Sequence, residues 1–298
     1  MKRWKTETKI RQLRQMMVSV FVLTIILILP ILGIWQWTNG LDLLKTNKAS
    51  ALPTFTARPV DKSSFPNVFE EPLITVTFDD GWETTYTVAA PLLLKNGIQS
   101  TQYLTTGLLG NPAYLSLDQV KELQKNKQQI ACHTVTHPDL TKISDQQLDA
   151  ELSGCINFFK LKGLGDVKDF AAPYGHTDQR VIDHIKKYYR SGRNTNGDPS
   201  NGVNEADVNF PSSINQYDII GVTVHNDTTV EELKQAVDFT IAHKGWLVLT
   251  YHQAEEEGTK FSLSSDSLAK QLTYLSSTPI RIVTVGQVMD GLAAKYNK

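Results

Sequence analysis

The chain has 298 residues, of which 41% are hydrophobic, so it can bury one sizeable core and one main domain is expected. Its formal net charge is −1 at pH 7, but the first fifteen residues are strongly basic, which leaves the remainder mildly acidic. An acidic remainder argues against a nucleic-acid surface, and we expect no nucleic-acid partner.

An apolar run near the N-terminus predicts a transmembrane helix. The run 16–37 contains no charged residue and has the length of roughly 20 residues that crosses a bilayer. The basic segment 1–15 precedes it, and Trp35 and Trp37 stand at its far end, so we expect a cytoplasmic N-terminus and an extracytoplasmic remainder. A cleaved signal peptide is the alternative. The nearest Ala-x-Ala site, at 49–51, lies well beyond the apolar run, which favours an uncleaved signal anchor.

The segment that follows the apolar run predicts a linker. Residues 38–70 mix Asn, Lys, Ser, Thr and Pro with little periodicity, a composition typical of a surface connection. We therefore expect a folded domain over residues 71–298, held off the membrane by this linker.

Strand and helix patterns alternate through the domain. Strands are predicted over 73–78, 100–106, 129–132, 168–172, 219–224, 246–250 and 281–285, with an extended segment over 188–193. Helices are predicted over 83–96, 117–127, 144–162, 177–187, 230–243, 264–275 and 287–296. This alternation predicts an α/β fold with a parallel sheet or a β/α barrel, in which sites lie at the carboxyl ends of the strands.

Two adjacent carboxylates end the first predicted strand. The run 73–78 is apolar and β-branched, and Asp79-Asp80-Gly81 stops it where a turn can present both acids. Adjacent carboxylates repel each other, and a metal ion would let one bind as a ligand while the other stays ionised as a base. A solvated turn or a helix cap is the alternative for this pair.

Further polar residues follow three other predicted strands: His133 and His137 in the segment HTVTH, then Pro173-Tyr174-Gly175, then His252. Because Pro138 disfavours helix at His137, a zincin helix is not expected. An extended or looped segment can still aim both imidazoles at one ion, with a carboxylate from another strand completing the site. Two ordinary surface histidines are the alternative.

Together and in this order, the segments TFDDG, HTVTH and APYG and a late strand ending in histidine resemble the polysaccharide deacetylase family, the NodB-homology carbohydrate esterases of family 4. The resemblance covers roughly residues 71–297. It implies a distorted (β/α)7 barrel, here preceded by a single N-terminal transmembrane helix, and one divalent metal ion, most commonly zinc. The roles that it implies are metal binding for Asp80, His133 and His137, general base for Asp79 and general acid for His252.

The resemblance also implies substrate contacts. Pro173 and Tyr174 would contact the substrate, with the backbone N–H of Tyr174 helping to hold an oxyanion. The segment Thr250-Tyr251-His252 stands where the family has Leu-x-His. Leu249, one place earlier, is therefore the candidate for the acetyl-methyl pocket.

The chain departs from the family pattern at one arginine. The family commonly has Arg-x-Pro-Tyr, where the arginine orients the base, and Ala171 stands in that place here. Arg193, at the end of the next extended segment, can supply a guanidinium from a neighbouring position. We expect it to hold the Asp79 carboxylate ionised through a planar bidentate contact. A surface charge beside a polar loop is the alternative for Arg193.

The remaining candidates have weaker patterns. Asp198 is the candidate partner of His252. Cys132 and Cys155 should both face the helix layer, where they either pair or remain free thiols. The other histidines have no matching partner motif and are predicted to be surface or structural residues: His176, His184, His225 and His243.

The motifs and their family resemblance predict a membrane-anchored, metal-dependent hydrolase. Its expected substrate is an acetylated polysaccharide, such as an N-acetylglucosamine polymer of the cell envelope or extracellular matrix, from which it removes N-acetyl groups. One alternative is an O-acetyl esterase acting on xylan or a similar glycan. Another is a catalytically inactive carbohydrate-binding relic of the same fold. We expect a monomer in the cell membrane with the catalytic domain outside.

Overall fold

The computed structural model describes residues 70–197, 202–255 and 258–296. The predicted cytoplasmic segment 1–15, the predicted transmembrane helix 16–37 and almost all of the predicted linker 38–70 lie outside these residues. Within the described part of the chain, no helix is both long and apolar enough to cross a bilayer.

Strands and helices alternate along the described residues. The strands are β1 (Leu73–Phe78), β2 (Ser100–Leu104), β3 (Gln129–Cys132), β4 (Asp169–Ala171), β5 (Ser191–Arg193), β6 (Val222–Thr223), β7 (Trp246–Tyr251), β8 (Gln253–Ala254), β9 (Ser262–Leu263) and β10 (Arg281–Ile282). The helices are α1 (Ala90–Lys95), α2 (Leu117–Lys125), α3 (Asp145–Leu161), α4 (Gln179–Tyr188), α5 (Val230–His243), α6 (Ser265–Ser277) and α7 (Val285–Tyr296).

Strands β1 to β7 form one parallel sheet in the order β5-β4-β3-β2-β1-β7-β6, and β10 pairs with the start of β1. Backbone contacts also link the edge strand β5 to the segment that leads into β6. Arg193 bridges Ile219 in parallel, and the Ile219 N–H donates to the Gly192 carbonyl at 2.8 Å. This curved, parallel α/β sheet is consistent with the predicted (β/α)7 architecture.

The alternation of side chains along each strand decides what faces the centre. In β1, Ile74, Val76 and Phe78 pack in a hydrophobic cluster with residues of α5 and α6. The opposite face carries Thr75 and Thr77, which bond Trp246 and Thr250 of the neighbouring β7. Because successive side chains point to opposite faces, the residue after β1, Asp79, belongs to the same inner face as Thr75 and Thr77.

Several element boundaries differ from the sequence prediction, and two of these differences have a clear local cause. A strand was expected to continue to residue 285, but α7 begins there because Thr284 and Gln287 bond each other's backbone N–H groups as a capping box. The helix expected over 83–96 is a π-helical turn, Thr85–Ala89, followed by α1. Pro91 in the first turn of α1 has no N–H to continue the regular ladder.

A disulfide joins Cys132 at the end of β3 to Cys155 in α3, so of the two alternatives for this pair the structure contains the bond. Cross-linking residues 23 apart restricts the unfolded chain, and the oxidised domain should be more stable by roughly 3 kcal/mol. Urea unfolding of the oxidised protein and of the Cys132→Ala, Cys155→Ala double variant measures this difference. Equal unfolding free energies, with two free thiols found in the untreated protein, would contradict the bond.

Candidate active site

The Asp79-Asp80 pair lies in a tight turn at the carboxyl end of β1. The Asp79 N–H donates to the Tyr251 carbonyl at 2.9 Å, so this end of β1 is fixed to β7. Asp80 then takes a φ of 72° and Gly81 a φ of 87°, which reverses the chain. The two acids consequently enter different environments. Asp79 is 2% exposed inside the barrel, whereas the Asp80 side chain is 16% exposed at its mouth.

Arg193 holds the Asp79 carboxylate. Its Nη2 donates to Asp79 Oδ1 at 2.6 Å and to Oδ2 at 2.5 Å, and both side chains are buried. The register of β4 and β5 pairs Ala171 with Arg193, so the guanidinium comes from the strand beside the position that holds alanine. The structure thus brings Arg193 to Asp79, and its catalytic role stays a prediction.

The contact differs from the expected bidentate geometry. One guanidinium nitrogen, Nη2, bonds both carboxylate oxygens. In the predicted bidentate contact, two nitrogens would each bond one oxygen. Other parts of the guanidinium contact Tyr103 and Asn194, whereas Nε is buried without a hydrogen-bond partner among the described residues. The guanidinium carbon lies 4.9 Å from the centre of the Tyr103 ring, and Nη1 donates to the Asn194 carbonyl at 3.3 Å.

His133 and His137 project from the loop that follows β3. His133 Nδ1 lies 2.9 Å from the Ala171 carbonyl, and because a carbonyl only accepts, this nitrogen carries the proton and leaves Nε2 as a lone-pair donor. The loop bends back at Thr134 and at His137, which have φ values of 68° and 61°. The two imidazole rings therefore come within 4.9 Å of each other, centre to centre.

The Asp80 carboxylate completes a three-donor cluster with these rings. Its Oδ1 lies 3.5 Å from His133 Nε2 and 3.2 Å from His137 Nε2. One donor atom from each of the three residues lies within 4.8 Å of the others, in the only such group of His, Cys, Asp and Glu found in residues 70–197, 202–255 and 258–296. Trp82 Nε1 donates to the second oxygen, Oδ2, at 2.8 Å and orients the carboxylate.

The donor set fits a divalent metal such as zinc. Asp80 Oδ1 is buried and has no hydrogen-bond partner among the described residues, although it faces two imidazoles. Two imidazoles and one carboxylate are common zinc ligands in sites that keep a position open for water or substrate. Burial alone would raise the pKa of Asp80, but the contacts with His133 and His137 outweigh burial and hold that pKa well below its usual range.

His252 lies on the other side of the same cavity. It follows β7, and alternation from Thr250 places it on the inner face. Its Nδ1 is buried without a hydrogen-bond partner in the described part of the chain, and burial lowers its pKa despite the nearby Asp79 and Asp80 carboxylates. The candidate partner, Asp198, lies outside the described residues.

These residues share one cavity of about 440 Å³. Its wall includes the catalytic and metal-binding candidates together with one exposed tyrosine: Asp79, Asp80, His133, His137, His252 and Tyr174. Tyr174 is 59% exposed, and its ring packs against the edge of His137 at 4.7 Å between centres. Pro173 is a correction to the predicted substrate contacts, because it is buried in this turn and does not line the cavity.

Leu249 is a correction to the predicted site. Alternation along β7 turns Leu249 and Tyr251 outward, where Leu249 is fully buried in the cluster between sheet and helices, so it does not line the cavity. The expected contact with an acetyl methyl group is therefore wrong for this residue. Thr250 occupies the inner face at this level.

His225 also lines the cavity. It is predicted to be a surface or structural residue, and it lies in the cavity wall just beyond β6, where its position near a strand's carboxyl end could have marked it as a site residue. Phe261 and Lys260 also line the cavity, from the segment between β8 and β9 for which no strand was predicted. The other histidines bond Asp139, Asp149 and the Phe239 carbonyl away from the cavity: His176, His184 and His243.

Sequence comparison relates part of this chain to a known family. Residues 67–190 match the family model for polysaccharide deacetylases. YxkH of Bacillus subtilis (strain 168), which is named as a polysaccharide deacetylase, is 28% identical to this chain over 153 residues. These residues cover 51% of each chain. The bifunctional xylanase/deacetylase of Pseudobutyrivibrio xylanivorans is 26% identical over 200 residues, which cover 65% of this chain and 32% of that protein. The chain thus spans about half or less of these relatives' lengths.

Solved structures share the fold at lower identity. The Xyl-CE4 domain of a multidomain xylanase, from the hindgut metagenome of Trinervitermes trinervoides, has a TM-score of 0.54 at 20% identity and covers 75% of this chain and 92% of that chain. BA3943 of Bacillus anthracis, described as a CE4 family pseudoenzyme, has a TM-score of 0.53 at 17% identity and covers 76% of this chain and 67% of that chain. At these identities the similarity establishes the fold alone.

Proposed function

Because this chain carries a domain that belongs to the polysaccharide deacetylase family, we propose that it is a monomeric, metal-dependent hydrolase that removes N-acetyl groups from an acetylated polysaccharide. The observation that carries the proposal is the juxtaposition, in one cavity, of a three-donor cluster and a buried carboxylate paired with arginine. Asp80, His133 and His137 would hold the ion, for which zinc is the first choice. The chemistry that zinc supplies in such a site is polarisation of a carbonyl and acidification of water.

Asp79 is the general base of the proposed reaction. Amide hydrolysis needs a base that takes a proton from the attacking water. Asp79 Oδ2 lies 3.9 Å from His133 Nε2, so this carboxylate is beside the metal-binding cluster without being one of its three donors. The Arg193 guanidinium bonds both carboxylate oxygens of Asp79 and fixes the orientation of this side chain, which a base in a buried position requires.

His252 is the general acid. After the water oxygen has bonded to the acetyl carbon, the C–N bond breaks only if the sugar nitrogen receives a proton. His252 lines the cavity with Asp79, and its buried, unpartnered Nδ1 supports a role in proton transfer. The backbone N–H of Tyr174 helps to hold the oxyanion of the tetrahedral intermediate.

The substrate class rests on the shape and composition of the cavity mouth. Tyr174 and Phe261, 59% and 37% exposed, are two of the large apolar side chains that the described residues leave exposed, and both line the cavity. Exposed aromatic rings beside a polar site suit the apolar faces of sugar rings. An N-acetylglucosamine polymer of the cell envelope or extracellular matrix is our first choice.

An O-acetyl esterase acting on xylan or a similar glycan is the second candidate function. The same base and metal can attack an ester carbonyl, and one relative is named as a bifunctional xylanase/deacetylase. A third hypothesis is a catalytically inactive, carbohydrate-binding relic of the same fold, because this fold also occurs in a protein described as a pseudoenzyme. The buried contact between Arg193 and Asp79 argues for turnover, because it orients a base beside the metal-binding cluster.

Acetate release from a panel of defined oligosaccharides tests this proposal. The panel pairs N-acetylated chito-oligosaccharides with O-acetylated xylo-oligosaccharides of equal length. We expect acetate from the first set and little from the second. Release from the xylo-oligosaccharides alone would replace the proposal by the esterase, and release from neither set would favour the relic.

Phe261 should contribute to binding of the sugar chain. Replacement by alanine removes one aromatic face from the cavity mouth without substituting a catalytic candidate, although the Phe261 ring also packs against His252 at 5.1 Å between centres. We expect Phe261→Ala to raise KM about three- to tenfold with little change in kcat, the size of one aromatic contact. Steady-state kinetics measures both constants. Leu161→Ala is the control, because Leu161 is exposed and does not line the cavity. Equal KM values for both variants would remove Phe261 from the binding site.

We also propose that residues 16–37 anchor the protein in the cell membrane, with 1–15 in the cytoplasm and the 71–298 domain outside on its 38–70 linker. The length of the apolar run and the basic segment before it support this arrangement. Protease treatment of intact cells should digest the domain. A soluble domain in the medium, with an N-terminus near Leu52, would mean that the segment is a cleaved signal peptide.

A further inference from the structure

The loop that carries both candidate histidine ligands is attached to α3 through one carboxylate. Glu151 Oε2 accepts hydrogen bonds from the backbone N–H groups of Val135 at 2.7 Å and of Thr136 at 2.8 Å. Its Oε1 accepts from the Thr136 hydroxyl at 2.6 Å. One side chain therefore binds three donors of the segment between His133 and His137.

The loop needs such an anchor because its backbone is strained. Thr134 and His137 have φ values of 68° and 61°, in the left-handed region that residues with a Cβ rarely adopt. Two such residues only three positions apart persist when the surroundings fix them. Glu151 fixes the two residues between them, Val135 and Thr136. The hydrogen bonds that a carboxylate accepts from backbone N–H groups are stronger than hydrogen bonds between neutral groups.

The helix itself is fixed on the other side of His133. Cys155, one helical turn beyond Glu151, forms the disulfide with Cys132, which directly precedes His133. Gly154 lies against the loop, where a Cβ would come within 2.9 Å of Val135 Cγ2. The face of α3 that carries Glu151 and Cys155 is thus attached to the chain both before and after His133.

We propose that Glu151 is a positioning residue for the metal centre: by holding Val135 and Thr136 on α3, it sets the distance and orientation of His133 and His137. Glu151 is neither one of the three candidate ligands nor a lining residue of the cavity, and its hydrogen bonds go to Val135 and Thr136, so it acts through the loop. The inference rests on the proposed metal site. It adds a residue that determines how tightly that site binds an ion.

The role of Glu151 can be tested without an activity assay. The measurement is the zinc affinity of the purified protein, determined by competition with a chromophoric chelator. Glu151→Ala should weaken zinc binding about tenfold or more, the range found when groups supporting a ligand are removed. Glu151→Leu, of similar size but without acceptors, should weaken it equally. Glu151→Gln should restore most of the affinity, because its amide oxygen can accept both N–H groups and its NH₂ can donate to the Thr136 hydroxyl.

Two further variants separate this role from a general loss of stability. Asp149→Asn removes a carboxylate from the same helix, one that bonds His184 and not the loop, and should leave zinc affinity unchanged. Thr136→Val removes one of the three bonds at an exposed position, so it tests the anchor even if Glu151→Ala does not fold. The visible spectrum of the cobalt-substituted protein should change in Glu151→Ala and Glu151→Leu, but not in Asp149→Asn.

Wild-type zinc affinity in folded Glu151→Ala and Glu151→Leu would overturn the inference. So would equal losses in Glu151→Gln and Glu151→Leu, because the acceptors would then not matter. A wild-type protein that binds no divalent ion would instead refute the proposed metal site. Comparing wild type with the variants therefore distinguishes failure of this inference from failure of the proposed function.

Discussion

Arg193→Ala is expected to lower turnover by about a hundredfold or more while the metal content stays at the wild-type level. The buried guanidinium is bonded to both oxygens of Asp79, and without it the base loses its orientation and its counter-charge. Misplaced general bases cost catalysis by factors on the order of 10² to 10⁴. Steady-state kinetics and elemental analysis of the same preparation measure the two quantities.

The Lys variant separates charge from position. Arg193→Lys can place one nitrogen near both Asp79 oxygens, as Nη2 does. It loses the stacking of the planar guanidinium on the Tyr103 ring and the hydrogen bond to the Asn194 carbonyl. We expect a turnover between those of wild type and Arg193→Ala, with a smaller change in KM than in kcat. Because removing one partner of a buried ion pair costs about 3 to 5 kcal/mol of stability, thermal unfolding must accompany the assay.

Arg180→Ala is the control for these variants, because Arg180 also pairs with an aspartate, but its partner Asp145 does not line the cavity, whereas Asp79 does. Its turnover should equal that of wild type. A folded Arg193→Ala with near wild-type turnover would show that Asp79 needs no guanidinium, and the role assigned to Arg193 would be abandoned.

His133→Ala and His137→Ala should each lose metal and activity together. Each change removes one imidazole from the three-donor cluster, and two remaining donors hold a divalent ion poorly. We expect less than about one tenth of an ion per chain after dialysis, since losing a direct ligand should exceed the 10- to 100-fold effect of losing a supporting residue. Turnover should fall in the same proportion, and both are measured on one preparation.

His184→Ala is the control for the histidine variants. His184 is also buried and bonds a carboxylate, that of Asp149, but it lies between α3 and α4 away from the cavity. It should keep metal and turnover, with at most a loss of stability. Stoichiometric metal in the His133→Ala, His137→Ala double variant would place the ion at other residues.

The inner face of the barrel could be predicted from local pattern. Strands with period-two alternation place Asp79 and His252 on the same side as Thr77 and Thr250, so their convergence follows from strand direction and parity. The same parity argues against Leu249, which is an odd number of residues from His252 and therefore faces outward. The family motif Leu-x-His has its leucine two residues before the histidine, on the same face of the strand, and in this chain Thr250 stands at that position.

Other features depend on contacts that no local pattern encodes. Glu151 is an ordinary acidic residue on an amphipathic helix until the packing of α3 brings it against the strained loop. The pairing of Cys132 with Cys155 follows from how α3 lies on β3, which composition leaves open. Lys260 and Phe261 reach the cavity through the short β8–β9 pair, whose two-residue strands are too brief to produce a periodic signal.

The central claim is that acetyl groups are hydrolysed in this cavity with a metal ion held by Asp80, His133 and His137. The most direct measurement is acetate release from one defined N-acetylated oligosaccharide by wild-type protein, by chelator-treated protein, and by chelator-treated protein to which zinc is returned. We predict that chelation abolishes release and that about one equivalent of zinc restores it in wild type, but not in His133→Ala. Unchanged acetate release from protein shown to contain no divalent ion would contradict the account.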